Sequence, residues 1–250
     1  METPTYIALS RQLTLRRELD VIANNIANMN TPAFKAERMV FVEFLEQPSR
    51  DEKLSFVQDL ATARDVSEGP IKKTDNTFDL AISGDGYFSI ESPNGERYTR
   101  HGRFQLDADG QLVTSQGYPV LSDDGNPISI PTDAGVVTIA PDGTINVGSD
   151  DVFLAEPTQV GKIGVVSFED QQALQRAANN LYIAGDEEPL PVDEPQIVQG
   201  MLEDSNVQGI LEMTRMMSVL RSYEGAARFI KSEHDRAMRA INRITRAASN

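Results

Sequence analysis

The sequence has 250 residues, of which 40% are hydrophobic, so it is long enough to build one large or two ordinary domains around a sizeable core. Its formal net charge of −15 argues against a nucleic-acid-binding protein, which should carry a basic surface. The absence of cysteine excludes disulfides, thiolate catalysis and cysteine-based zinc sites, and two histidines are too few for a histidine metal cage.

The first predicted element is an amphipathic helix. Thr3-Pro4 is typical of a helix cap followed by a first-turn proline. Asn30-Thr31-Pro32 ends the helix, because a residue before proline disfavours the helical conformation. Its apolar residues repeat at heptad spacing: Leu15, Leu19, Ile22, Ile26 and Met29. No run approaches a membrane span, and the first residues lack the order of a cleaved signal peptide, so we expect export, if any, by another route.

Residues 33–73 show a weak pattern, which we interpret as a partly extended connector. From Phe78 to Phe168 the pattern changes to short runs rich in β-branched and aromatic residues. The runs predict strands at 78–82, 87–90, 104–106, 112–114, 128–130, 136–139, 144–147 and 163–168. They are separated by dipeptides that accept the positive φ angles of tight turns: Asp85-Gly86, Asn94-Gly95, Asp109-Gly110, Asp124-Gly125 and Asp142-Gly143.

The most regular segment is the last, from Ser205 to Asn250. Ser205 and Gln208 are spaced like a capping box, so we expect a helix to begin there. At about 1.5 Å per residue it would be about 60 Å long, and much of it must find a partner outside the chain's own core. Eight Lys or Arg against four Asp or Glu indicate a solvated or partner-facing flank rather than a membrane- or nucleic-acid-binding helix. Its apolar seam comprises Met213, Met216, Leu220, Tyr223, Ala227, Ile230, His234, Ala237, Ile241, Ile244 and Ala248.

Together these segments predict an α+β fold, in which N- and C-terminal coiled-coil-like helices form a discontinuous domain and the centre forms an all-β domain. The predicted domains are residues 1–74 with 197–250, a helical assembly domain with an extended connector, and residues 75–196, an all-β outer domain. We expect these residues to carry the contacts of the helical layer: Leu15, Leu19, Ile22, Ile26, Leu220, Tyr223, Ile230, Ile241 and Ile244.

Several motifs that carry chemistry in other proteins fit turns better here. The segment 107–110 lacks the further ligands of a calcium loop, and the segment 83–86 lacks the third glycine of a phosphate loop. His101 has no nucleophile pattern beside it, and His234 suits a buried, interface or pH-sensitive position on the helix seam. Carboxylate pairs are too numerous to single one out, so a secreted β-rich hydrolase or glycan-binding protein stays open as an alternative.

Residues 21–35, VIANNIANMNTPAFK, resemble the N-terminal signature of the bacterial flagellar rod and hook protein family. The resemblance continues through 69–71, 79–88, 98–100, 117–121, 199–200, 205–207 and 221–224. Ala33 stands where the family usually has glycine, which argues against a positive-φ turn at that position. The motif residues are Ala23, Asn24, Asn25, Ile26, Ala27, Asn28, Asn30, Thr31, Phe34, Ser205, Asn206, Val207, Tyr223 and Glu224.

The resemblance implies a structural protein without enzymatic activity, cofactor, nucleic acid or small-molecule substrate. It implies export through the flagellar type III apparatus without a cleaved signal peptide, and assembly with copies of itself and other rod proteins. The implied location is the periplasmic rod of the flagellar basal body. Length and middle motifs are most similar to proximal-rod members of the family, with distal-rod members as the alternative. Two unlike helical ends independently favour such a subunit, because a heterologous contact can propagate helically.

Overall fold

The computed structural model describes residues 3–49, 52–131, 135–148 and 158–248. Its internal contacts group the chain into two units. The helical unit comprises Met1–Met29, Ala36–Asp65 and Val207–Asn250, and the β unit comprises Asn30–Lys35 and Val66–Asn206. Helices at both ends of the chain and a β-rich centre confirm the predicted α+β class. Within the described residues, no helix is long and apolar enough to cross a membrane.

The helical unit contains two antiparallel helices, α1 (Thr3–Ala27) and α2 (Gly209–Ala248). The late part of α1 contacts the early part of α2, since Arg215 on α2 donates to Glu18 on α1 at 3.1 Å. Farther along, Ile7 on α1 and Phe229 on α2 line one cavity of about 580 Å³. Helix α1 begins only four residues before Ile7, whereas α2 runs on from Phe229 to Ala248. The C-terminal part of α2 therefore extends past the start of α1 by about fifteen residues, or about 22 Å.

Helix α2 begins four residues later than the predicted capping box. The first helical hydrogen bond runs from the Glu212 N–H to the Gln208 carbonyl at 3.0 Å. Ser205 is instead buried in the β unit, and the next residue, Asn206, donates its backbone N–H to the Phe34 carbonyl. The expected start at Ser205 is therefore wrong, because long-range hydrogen bonds hold this segment in a non-helical path.

The predicted connector is extended, but it is a hairpin rather than a linker. Strand β1 (Glu37–Ser49) pairs antiparallel with β2 (Glu52–Arg64), with Glu37 opposite Arg64 and a register shift between Val40 and Phe41. The two strands form a two-stranded sheet. Such a ribbon need not bury one face, so its sequence lacks the strict alternation by which strands are recognised.

Among the described residues of the β unit, short strands form five small sheets. The largest has six strands in the order β13-β14-β6-β5-β12-β15, and a second has three in the order β11-β10-β9. Three further pairs are β16-β4, β17-β3 and β7-β8, all antiparallel. The strands are β3 (Ile71–Lys73), β4 (Leu80–Ser83), β5 (Tyr87–Ser92), β6 (Gly95–Thr99), β7 (Phe104–Leu106), β8 (Leu112–Thr114), β9 (Val137–Ile139), β10 (Thr144–Val147), β11 (Thr158–Lys162), β12 (Val165–Ser167), β13 (Gln175–Arg176), β14 (Tyr182–Ile183), β15 (Leu190–Pro191), β16 (Gln196–Gln199) and β17 (Met201–Glu203).

Strand β5 is buried on both faces, which places it at the centre of the β unit. Phe88 and Ile90 point into the main apolar core, while Tyr87 points into a smaller aromatic cluster. In that cluster Tyr87 makes edge-to-face contacts with Phe168 and Tyr182, at centroid distances of 5.7 and 5.6 Å. Alternation of side chains along one strand therefore feeds two separate clusters.

Four of the five predicted turn dipeptides lie in turns or beside them, and most of the predicted strands are present. The hairpin turn expected at 83–86 is wrong: the segment bends between β4, which pairs with β16, and β5, which pairs with β6 and β12. All five turn glycines have positive φ angles, from 77° at Gly125 to 154° at Gly86. The segment predicted as a strand at 128–130 instead makes isolated bridges, such as Gln111 with Ser129. The predicted outer domain spans 75–196, and the contacts of the β unit extend to Val66, to Asn206 and to Asn30–Lys35.

Candidate functional site

The two helices of the helical unit contact each other through faces that include polar pairs. Helix α2 turns Arg215 and the buried Val219 inward, and Ser222 and Ala226 on the same face line the cavity shared with α1. These positions each precede a residue of the predicted seam by one. The seam therefore lies beside the contact with α1, and part of it faces away from α1.

The predicted contact residues differ in how exposed they are. Ile22 on α1 is 1% exposed and is packed within the chain, whereas Leu220 and Ile241 on α2 are 44% and 54% exposed. The residues of intermediate burial are Leu15, Leu19, Ile26, Tyr223 and Ile230. Ile244 lies outside the residues whose side chains the structure describes. Within the single chain, the predicted contact residues therefore range from buried Ile22 on α1 to exposed Leu220 and Ile241 on α2.

Asn25, inside the signature segment, joins α1 to both of its neighbours in the helical unit. Its amide donates to the Glu37 carbonyl at 2.8 Å, and its carbonyl oxygen accepts from the Glu37 N–H at 3.0 Å. The same Nδ2 lies 3.4 Å from Glu212 on α2. Asn25 is 1% exposed, so its side chain substitutes for a backbone peptide at the start of β1. The pairing uses both the donor and the acceptor of the side chain, which an amide provides and a carboxylate does not.

A buried ion cluster of Lys35, Arg100 and Glu203 lies within the β unit. Glu203 accepts from Lys35 Nζ at 2.6 Å and from Arg100 Nε at 2.8 Å. All three side chains are 2% or 3% exposed. Glu203 also accepts from the Gly69 N–H at 2.9 Å. A side chain at position 69 would collide with the Asp204 carbonyl, since an added Cβ would lie 2.0 Å from that oxygen.

The charges of this cluster favour the ionised carboxylate. Burial alone raises the pKa of Glu203, but Arg100 and Lys35 outweigh it, and the pKa lies below the usual range of a glutamate. Burial lowers the pKa of Lys35, and Glu203 opposes that shift. The Arg100 guanidinium also donates to the backbone carbonyls of Gly84 and Gly86, both at 3.0 Å. The cluster is therefore a saturated hydrogen-bond network rather than an open site.

The same part of the β unit holds the segments next to the helices in sequence. The Phe34 ring is 2% exposed, and the Arg176 guanidinium lies 4.4 Å from its centroid. The Asn206 side-chain amide donates to the Ser67 carbonyl at 3.0 Å. Ala33 donates its backbone N–H to the Glu203 carbonyl at 2.9 Å. The motif residues that follow α1 in sequence and those that precede α2 thus meet around the ion cluster.

Ala33 has a φ angle of 57°, which overturns the expectation that alanine argues against a positive-φ turn there. An L-residue with a Cβ costs about 1–2 kcal/mol in this conformation. The hydrogen bond to Glu203 and near-complete burial hold the strained backbone in place.

Comparison with known proteins identifies the family. The model described as "Flagella basal body rod protein" matches residues 6–35, "Flagellar hook protein FlgE/F/G D1 domain" matches 81–147, and "Flagellar basal body rod FlgEFG protein C-terminal" matches 198–243. A flagellar basal-body rod protein FlgF of Caulobacter vibrioides is 40% identical over 249 residues, covering 98% of each chain. The chain belongs to the flagellar basal-body rod protein family. A FlgF of Mesorhizobium japonicum is 33% identical over 96% of this chain and 98% of the relative, and a FlgG of Bacillus subtilis is 31% identical over 95% and 97%.

The three ions of the cluster come from the three matched regions of this rod-family chain. Lys35 closes the N-terminal match, Arg100 lies in the D1 match, and Glu203 lies in the C-terminal match. The sequence placed Lys35 and Arg100 within motifs but gave no role to either, and it did not single out Glu203. A charged residue directly after the apolar pair Met201-Leu202 was the available signal, and it does not reveal a partner 168 residues away.

The remaining motif residues and histidines have simpler positions. Asn28 donates to the Asn24 carbonyl at 2.9 Å, and Glu224 lies 3.8 Å from Arg228 on the exposed side of α2. Exposed motif residues include Ala23, Asn24, Ala27 and Asn30, while Thr31 and Val207 are of intermediate burial. Burial lowers the pKa of His101, and the neighbouring Arg103 adds to that shift. His234 is exposed in the single chain.

Asp107 forms the turn that the sequence favoured over a calcium loop. Its side-chain oxygen accepts from the backbone N–H groups of Asp109 and Gln111 at 2.9 and 2.8 Å. Both bonds end on Oδ1, so this oxygen is engaged by the backbone of its own turn. The side chain of Asp107 thus has the turn-forming role that the sequence favoured.

Proposed function

We propose that the chain is a structural subunit of the flagellar basal-body rod, and that it polymerises through its terminal helices into the axial drive shaft. The observation that carries the proposal is α2, which continues about 22 Å beyond α1 and leaves Leu220 and Ile241 exposed. A helix of 40 residues with large apolar side chains in water lacks most of its stabilising burial. Neighbouring subunits would supply that burial.

Within the rod, we assign the chain to the proximal, FlgF-like position, with a distal, FlgG-like position as the alternative. Support comes from the FlgF relatives of Caulobacter vibrioides, Mesorhizobium japonicum and Rhizobium meliloti, which are 40%, 33% and 32% identical to this chain. The partners under this proposal are copies of the chain, other rod proteins and the type III export apparatus. The place of action is the periplasmic rod of the flagellar basal body, and the chain catalyses no reaction.

The proposed outer domain is the β part of the chain, residues 75–196. In dilute solution its core should resist protease while both terminal helices are cut first, because an isolated helix pair is only marginally stable. Limited trypsin digestion followed by mass spectrometry checks this. Early cuts between Phe78 and Phe168, with both ends of the chain protected, would contradict the proposed organisation.

Removal of α2 tests the assembly role. A variant ending at Gln208 keeps the ion cluster, so its β unit should stay folded, while its incorporation into isolated hook–basal bodies should be lost. Co-sedimentation measures incorporation, and near-ultraviolet circular dichroism of the tyrosines, three of which lie in the aromatic cluster, reports the β unit. Incorporation at wild-type level by this truncated chain would refute polymerisation through the helices. A variant lacking residues 1–29 should fail in the same way, because it leaves the inner face of α2 uncovered.

A further inference from the structure

An apolar stripe on α1 has no partner among the residues that the structure describes, and the sequence pattern did not single it out. It consists of Tyr6, Leu9 and Leu13, which are between 44% and 60% exposed. Their spacing of three and four residues places them on one helical face. The opposite face holds the buried Ala8 and Ile22. We call this set the α1 stripe.

A second apolar stripe lies on the first three turns of α2. It consists of Ile210, Met213, Met217 and Leu220, which are between 44% and 83% exposed. The charged residues of Gly209–Leu220 are Glu212 and Arg215, and both contact α1. The outer face of these turns is thus uncharged, whereas a solvated helix face normally carries charge. We call this set the α2 stripe, and its methionines can adapt to a partner's shape.

We propose that the α1 stripe of one copy of this chain docks on the α2 stripe of a neighbouring copy. The proposal rests on the proposed function and names the surface through which that assembly propagates. The seven side chains expose on the order of several hundred Å², a size at which apolar patches mark interaction sites. A second copy is the fitting occupant because each chain carries both unlike halves of the contact. Such a heterologous contact leaves one free half at each end of a growing assembly.

The antiparallel helix pair fixes how neighbours are displaced. On α1, the stripe lies level with the part of α2 that contains Ser222 and Phe229, since Ile7 and Ala8 share a cavity with them. The α2 stripe lies instead level with Glu18 and Asn25. The two stripes are therefore offset by about nine residues, or about 13 Å along the helices.

Docking of one stripe on the other shifts each neighbour by that offset. When neighbouring copies point in the same direction, the contact places Tyr6 of one copy against Leu220 of the next, Leu9 against Met217, and Leu13 against Met213. Neighbouring subunits, with α1 and α2 alternating, are then displaced along the assembly axis, so the assembly is helical rather than a closed flat ring.

Cysteine cross-linking tests this contact directly, because the chain has no cysteine of its own. The full-length single variants Leu9→Cys and Met217→Cys are mixed, concentrated until they assemble, and oxidised. We expect a disulfide-linked dimer from the mixture and little from either variant alone. The matched control is Ser218→Cys, an exposed neighbour on another face of α2. Leu9→Cys should cross-link to it at least tenfold less than to Met217→Cys.

Three outcomes would overturn the inference. Assembly with equal cross-linking to positions 217 and 218 would refute the docking and leave the proposed function standing. Efficient dimers from Leu9→Cys alone would mean that the α1 stripe meets its own copy. Failure of the cysteine-free chain to assemble, either alone or on isolated hook–basal bodies, would refute the proposed function, and this contact would fall with it.

Discussion

Replacing Glu203 by glutamine should destabilise the β unit strongly. The substitution keeps the shape of the side chain but removes its charge, and it leaves Lys35 and Arg100 buried at 2% and 3% exposure. Three donors, from Lys35, Arg100 and Gly69, then compete for one acceptor oxygen. Glu68, 3.8 Å from Arg100 and 43% exposed, compensates little of the lost charge.

The expected loss is about 3–5 kcal/mol of unfolding free energy, which is typical when one partner of a buried ion pair is removed. Urea unfolding followed by tyrosine near-ultraviolet circular dichroism measures it, and the aromatic cluster of the β unit supplies the signal. Glu169→Gln is the matched control, because it makes the same change at an exposed position and should alter stability by less than about 0.5 kcal/mol.

A double-mutant cycle separates charge from packing. Lys35→Met with Glu203→Gln should cost clearly less than the sum of the single losses, because the two side chains are in direct contact. A Glu203→Gln variant within 1 kcal/mol of the wild type would refute the reasoning. Additive losses would show that the ion pair itself contributes little.

Three further results are expected. Folding lowers the pKa of Glu203, so its contribution to stability is present above about pH 4.5 and is lost as the pH falls further. Below that pH, the free energy of urea unfolding should therefore fall more steeply for the wild type than for Glu203→Gln. Equal slopes would contradict this. Ala33→Val should cost about 1–3 kcal/mol in urea unfolding, because a β-branched residue resists the φ angle of 57°, while Ala33→Gly should stay within about 1 kcal/mol of the wild type; equal effects would contradict the strain. Gly225→Ala should raise helix stability by about 0.5–1 kcal/mol, measured by far-ultraviolet circular dichroism during thermal unfolding, since an added Cβ meets no atom within 4 Å; a loss would contradict the open helical site.

The local features of this fold were predictable because local chemistry decides them. Glycines such as Gly110 and Gly143 follow aspartate in tight turns, and their positive φ angles need no distant partner. The two terminal helices follow from apolar repeats of three and four residues. The side of α2 that meets α1 was displaced by one position, because Arg215 and Ser222 occupy a contact face that an apolar pattern does not mark.

Features that depend on residues far apart in the chain could not be predicted from the sequence. Helix α2 begins at Gly209 instead of the predicted Ser205, because the Asn206 N–H donates to the Phe34 carbonyl and not to a helical acceptor. The ion cluster could not be recognised, since a single lysine, arginine or glutamate reads as surface charge until its partner is known. The family resemblance marked the segments that meet there but not the contacts among them.

The ion cluster also has a consequence for the order in which this chain can fold. Glu203 lies 168 residues after Lys35 and 103 residues after Arg100. Closing such long loops is slow, because their entropy is lost before the contacts form. As a chain emerges from its N-terminus, both cations precede their counter-ion, and burying them without it is costly. Strand β17, which carries Glu203, therefore completes the β unit late, and a nascent chain, or one truncated before Glu203, stays open until that strand is present.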